Sequence, residues 1–171
     1  MAVQTSYSYS TSRGIPGGIY DLSHRAVNSR MAEEKMTFGI GVVQGSIPGS
    51  NIAIPTSTAV PADFDGISVN GGTQELDLEG KAVVRAGATV SVMRHGRVWV
   101  RIEPDAEIAY GDDLYLITDG YNAGRFTNQS SEETKIAVAG RFIGGSSTDG
   151  IAPVELYNAP APAVASSSSK N

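Results

Sequence analysis

Apolar residues along this chain come in short, mostly β-branched runs, and its 20 glycines and 8 prolines interrupt every run before it grows long. Period-two alternation bounded by turn residues is the signature of strands, so the pattern predicts an all-β fold, either a small β-barrel or a β-sandwich. Strands are expected near 37–43, 66–69, 81–85, 88–93, 97–103, 113–118, 124–127, 134–143 and 150–156. The stretch "SHRAVNSRMAEEK" offers Ser23 as a helix cap, but Ala26, Val27 and Met31 sustain no helical stripe. Residues 45–64 carry three prolines and read as a long loop, a length usually functional or packed against something.

The segment "ATVSVMRHGRVWVRIE" invites a register test as a hairpin. A two-residue turn at His95 and Gly96 sets Val90 opposite Arg101 and Val92 opposite Trp99. A three-residue loop, with Gly96 left-handed, pairs Val92 with Val98 and Val90 with Val100, giving one wholly apolar side. The second register is therefore expected, with Ser91, Met93, Arg97, Trp99 and Arg101 on the outer face. Trp99 is the sole tryptophan and lies between two arginines. It is either covered by a loop or the N-terminal arm, or stacked on by the arginines, or it serves as a contact residue of the kind enriched at interface hot spots.

The two ends differ from the middle. Residues 1–35 read as an extended N-terminal arm, 36–157 as the β-domain, and 158–171 as a low-complexity tail of alanine, proline and serine. The start "MAVQTSYSYSTSRG" has neither the basic opening nor the apolar run of a signal peptide. Its "SYSYS" places Tyr7 and Tyr9 on one face of an extended strand, with Tyr20 further along. Such a strand can add to an exposed sheet edge with the tyrosines as anchors.

Composition removes several function classes. The net charge of −5, from 13 basic and 18 acidic residues, opposes binding to a phosphate backbone, so no nucleic-acid partner is expected. No apolar run approaches the ~20 residues that span a bilayer, and no membrane partner is expected either. There is no cysteine, hence no disulfide and no thiolate metal site. "YGDD" at 110–113 lacks the third carboxylate of a two-metal centre and reads as a turn made by Gly111 and Asp112. "DFDG" at 63–66 lacks the closing glutamate of a calcium loop and reads as a turn into a strand at Ile67. Gly39, Gly41 and Gly45 do not fit a dinucleotide fingerprint; close approach by another backbone suits them better. His24 and His95 fall in the arm and at the expected hairpin tip, and no metalloprotease pattern accompanies them. "NQS" at 128–130 has the glycosylation pattern, which matters only in a secretory pathway. Neither catalytic residues, cofactor nor metal is expected.

The ordered succession of "MAVQTSYS", "NSRMAEEKMTFGIGVVQGS", "FDGISV", "VVRAGATVSVMRHGRVWVRIEPDAEIAYGDDLYL" and "IAVAGRFIGGSSTDGIAPVEL" resembles the capsid cement, or head decoration, proteins of tailed bacteriophages. The resemblance runs to Leu156 and leaves the Ala/Pro/Ser tail outside. It implies a non-enzymatic β-domain that binds the outer surface of the phage head and stabilises the major capsid protein lattice, after synthesis in the bacterial host cytoplasm. It also implies association with neighbouring copies, as trimers on three-fold positions or dimers on two-fold axes. Tyr7, Tyr9, Tyr20, Arg97, Trp99 and Arg101 are the expected contacts. A carbohydrate- or surface-binding module of a fibre or adhesin is the alternative, since an outward indole suits sugar stacking.

Overall fold

The computed structural model describes residues 14–71, 75–130 and 134–159. Regular structure among them is strand, apart from one 3-10 turn at Pro61–Asp63. Eleven strands follow in order: β1 Ala26–Ala32, β2 Met36–Thr37, β3 Gly41–Gln44, β4 Asn51–Ala53, β5 Phe64–Val69, β6 Val83–Val84, β7 Thr89–Arg101, β8 Asp113–Ile117, β9 Phe126–Thr127, β10 Lys135–Phe142 and β11 Ile151–Leu156. The all-β expectation holds, and of its two forms the structure takes the barrel.

Five strands close on themselves in the order β1, β4, β3, β5, β7 and back to β1. From β7 the sheet continues through β11, β10 and β8 to β9. A parallel bridge between Ile102 and Phe126, with the Glu103 amide donating to the Phe126 carbonyl at 2.8 Å, curls this half back onto the end of β7. β2 and β6 form a separate two-stranded ribbon. Each half has its own core. Phe38, Ile40, Val42, Ile52, Val90 and Val92 fill the first, whereas Val98, Val100, Leu116, Phe126, Phe142 and Val154 fill the second.

No hairpin turns at His95 and Gly96: residues 89–101 are one continuous strand. Even positions stay in register whether the chain folds back after three loop residues or runs straight, so alternation does not distinguish the two. Gly96 adopts φ +124 and its missing side chain leaves room for Arg25, whose Cβ would lie 2.8 Å from a Cβ there. Around this glycine the strand changes partners, from β1 and β5 to β11. It also exchanges faces. Val90 and Val92 serve the first core, but Met93 joins Val98 and Val100 in the second.

Three further expectations change. Residues 26–32, grouped with the arm by sequence, are β1 and close the barrel. β4 lies inside the segment read as a long loop. "DFDG" is mostly strand rather than turn: Asp65 sits in β5, only 2% exposed, with its carboxylate held by Arg30 Nε at 2.9 Å and Arg94 Nη1 at 3.6 Å. "YGDD" does form a turn, in which Asp112 accepts from the Ala109 amide and from Asn128.

Because both cores rest on β7, they should melt together. Phe126→Ala, in the second core, is expected to cost about 3–5 kcal/mol, and Ile52→Ala, in the first, about 2–5 kcal/mol. Denaturant titration followed by Trp99 fluorescence and by far-UV circular dichroism should show a single transition for each variant. Two separated transitions would mean that the halves fold independently.

Candidate functional site

The outer side of β7 beyond Gly96 is covered by the chain's own residues 14–21. Antiparallel main-chain bonds hold this segment: the Gly17 amide donates to the Trp99 carbonyl (2.8 Å), the Trp99 amide to Gly18 (2.9 Å), and the Tyr20 amide to Arg97 (3.0 Å). Trp99 thus spends both main-chain groups on this edge. On the other edge it faces Pro153 of β11, a position that needs no N–H from the proline.

Glycine makes the fit possible. A Cβ on Gly14 would overlap the indole of Trp99. Gly17, at φ +75, has Asn70 N and Ser68 O within 2.8 Å of where its Cβ would stand. Gly39, also at φ +75, faces the Gly17 nitrogen at 2.7 Å in the same sense. The close backbone approach expected at the "FGIGVV" glycines is therefore made at Gly39, and by the N-terminal segment of the same chain.

Side chains lock the arrangement. The Tyr20 ring lies 5.6 Å from that of Trp99, tilted by 47°. Arg97 bridges two carboxylates, with Nη1 on Asp21 Oδ2 and Nε on Glu155 Oε1, both at 2.9 Å. Glu155 also accepts from Arg141 at 3.2 Å, and Arg141 stands over the Tyr110 ring. The Ser23 hydroxyl and amide, followed by Arg97, bring the Asp21 carboxyl down to about 2. Burial works against ionisation of Glu155, but Arg97 and Arg141 prevail and hold it below its ordinary value.

Of the residues singled out by sequence, the structure gathers Tyr20, Arg97 and Trp99 here. Arg101 points elsewhere: its Nε donates to the Phe38 carbonyl at 3.1 Å, and it lines a cavity with Arg125. Tyr7 and Tyr9 lie outside the described residues. His95 is within β7 rather than at a turn tip; its Nδ1 lies 3.0 Å from the Leu156 carbonyl oxygen and its ring 5.5 Å from that of His24. Among the described residues no three or more His, Asp or Glu side chains gather as metal ligands, and no helix is long and apolar enough to cross a membrane. Asp21, Glu155 and Gly14 were not singled out by sequence. A carboxylate far along the chain from Arg97 carries no local pattern.

The Asp21 carboxylate, held first by Ser23 and then by Arg97, gives the segment a pH dependence. A carboxyl whose folded value lies below its ordinary 3.8 stabilises fully above that value, and the contribution is lost as pH falls through about 2. Trp99 emission should accordingly hold steady from neutral pH down to the ordinary value and change only below it. Asp21→Asn should show the altered emission already at neutral pH, with unchanged far-UV circular dichroism. Identical emission from variant and wild type would remove Asp21 from the lock.

Among curated proteins none matches this sequence. Among solved structures, a chain of the capsid of Myoviridae phage XM1 superposes with a TM-score of 0.73 at 20% identity, covering 92% of this chain and 99% of that one. The N base of the head fiber gp8.5 of bacteriophage phi29 aligns with a TM-score of 0.48 at 13% identity, over 82% of this chain and 100% of that one. The first likeness is one of fold. At the level of sequence, residues 3–157 match the family described as structural cement protein (E217 gp24/Pam3 gp6). That match ends where the Ala/Pro/Ser tail begins and spans most of the length, so this chain belongs to the structural cement protein family.

Proposed function

We propose that this protein binds the outer face of a phage head and stabilises the lattice of the major capsid protein, without catalysing a reaction. The family match over residues 3–157 carries this reading. The match makes the protein a virion component; in our reading it is displayed on the capsid exterior after synthesis in the bacterial host cytoplasm. A closed β-body suits such work, because many copies on a lattice multiply weak contacts through effective concentration.

The expected contact residues divide by role. Arg97 and Trp99 are engaged in holding residues 14–21 and act on a partner through that segment. Tyr7, Tyr9 and the partly exposed Tyr20 are the proposed direct contacts, supported by the exposed Ile15, Ile19 and Leu22 beside Tyr20 along the chain. Copies associate as trimers in this reading, with dimers as the alternative. Support for the trimer comes from the resemblance and from closed symmetry as the rule for repeated subunits. The glycine-rich "FGIGVV" lends it none, since the chain's own segment fills Gly39. The sugar-binding alternative needs an open indole, and Gly14 and Tyr20 lie against Trp99.

Deleting residues 1–13 should leave the melting temperature of the domain unchanged and weaken binding to undecorated heads by at least about tenfold, the scale of a hot-spot loss. Unchanged binding would remove the arm from the contact, and loss of the cooperative melt would place it in the fold. Mass measurement of the free protein should give a trimer. Copies on the head equal in number to two-fold sites would refute that.

A further inference from the structure

A second surface feature lies away from the covered indole. Between the β2–β6 ribbon and the 121–125 loop is an open cavity of about 440 Å³. Its walls bring together four cations: Arg101, Arg125, Lys35 and Lys81. The lysines are already matched, Lys35 with Asp77 at 3.6 Å and Lys81 with Glu79 at 2.7 Å. The arginines are not. Arg101 Nε donates to the Phe38 carbonyl and Arg125 Nη1 to the Ile102 carbonyl, and neither belongs to any ion pair among the described residues. Asp77, the one carboxylate in the wall, is committed to Lys35 and to the Glu79 and Lys81 amides.

Two half-buried guanidinium groups facing one cavity without a counter-charge are costly in any protein. Burial first, and then the Arg125 charge, hold Arg101 below the usual guanidinium value. In a chain of net charge −5 this is a local reversal of sign. The arginine fork matches a carboxylate in two-point geometry, and its weak hydration suits an interface. Beside the charges the lining also holds the apolar Met36, Ile40, Ile54 and Val83 and the almost fully exposed Tyr121. The space is in the range of an organic ligand or a side chain with its neighbours, larger than an inorganic ion fills.

We propose that this cavity receives an acidic side chain, flanked by apolar residues, from a segment of the capsid partner, with Arg101 and Arg125 clasping the carboxylate. The proposal rests on the cement reading for the identity of the partner, but the chemistry of the cavity is independent of it. Calorimetric titration of the full chain with a blocked peptide of alternating glutamate and leucine is expected to show binding. The double variant Arg101→Gln/Arg125→Gln should lose at least about tenfold in affinity. Arg125→Lys, which keeps the charge and leaves Arg101 untouched, should retain part of the binding and guards against a loss of fold. Arg85→Gln, at an exposed arginine outside the cavity, should behave as wild type. Peptide binding that is absent, or unchanged in the double variant, overturns the proposal, and so does inorganic phosphate binding as tightly as the peptide. Undecorated heads provide the second arm, on which the double variant should likewise bind at least about tenfold more weakly than wild type. Wild-type and double-variant chains binding heads equally would overturn this use of the cavity while leaving the cement reading intact. Peptide binding without head binding by wild type would support the cavity's chemistry and overturn the cement reading.

Discussion

A strand has two edges, and β7 has to satisfy a different neighbour on each edge of each half. β1 and β5 take residues 89–95, while β11 and the N-terminal segment take 96–101. Both cores lean on it, and among the described residues the two halves have no other long strand in common. Its sequence reflects that demand. Valines alternate at 90, 92, 98 and 100, and the single glycine at 96 absorbs the change of face without breaking the ladder. A side chain at 96 would have to displace Arg25 while adopting a backbone conformation that residues with a Cβ rarely take.

The segment over Trp99 is held by the same logic at smaller scale. Main-chain bonds fix its path, glycines allow it close enough to lie on the indole and on Gly39, and Arg97 ties its end to β11 through Glu155. Backbone pairing gives direction, whereas the ion network gives attachment at one point. Exposed ion pairs alone contribute little. Here the carboxylates of Asp21 and Glu155 share one arginine whose neighbours are already positioned, so little side-chain freedom remains to be lost.

Much of this was legible in the sequence. Alternation and turn residues locate β5, β8, β10 and β11 to within a few residues, and the buried valines of β7 are the expected ones, although the sequence reads as turning at its centre. Met93, expected on the outer face, is instead buried in the second core, because the strand exchanges faces around Gly96. The turn was misplaced because a glycine in the left-handed region serves equally to reverse a chain or to kink a strand. β1 was missed for a different reason. "AVNSRMA" shows no alternation, because Asn28, Ser29 and Arg30 stand in a row and much of the strand faces solvent; only Ala32 is buried among its residues. β4 is three residues long and carries too short a pattern to stand out between prolines. The pairing of Arg97 with Asp21, and the meeting of Arg101 with Arg125, arise from contacts remote in sequence that no local window contains.

The shared strand also decides how the molecule would carry a mechanical load. Force applied along the direction of β7 pulls its ladders in shear, so the bonds on both edges must yield nearly together. Force applied across it unzips one ladder at a time. A load along β7 is therefore expected to meet more resistance than one across it, so that the direction of pull, and not its size alone, decides whether the two halves stay joined.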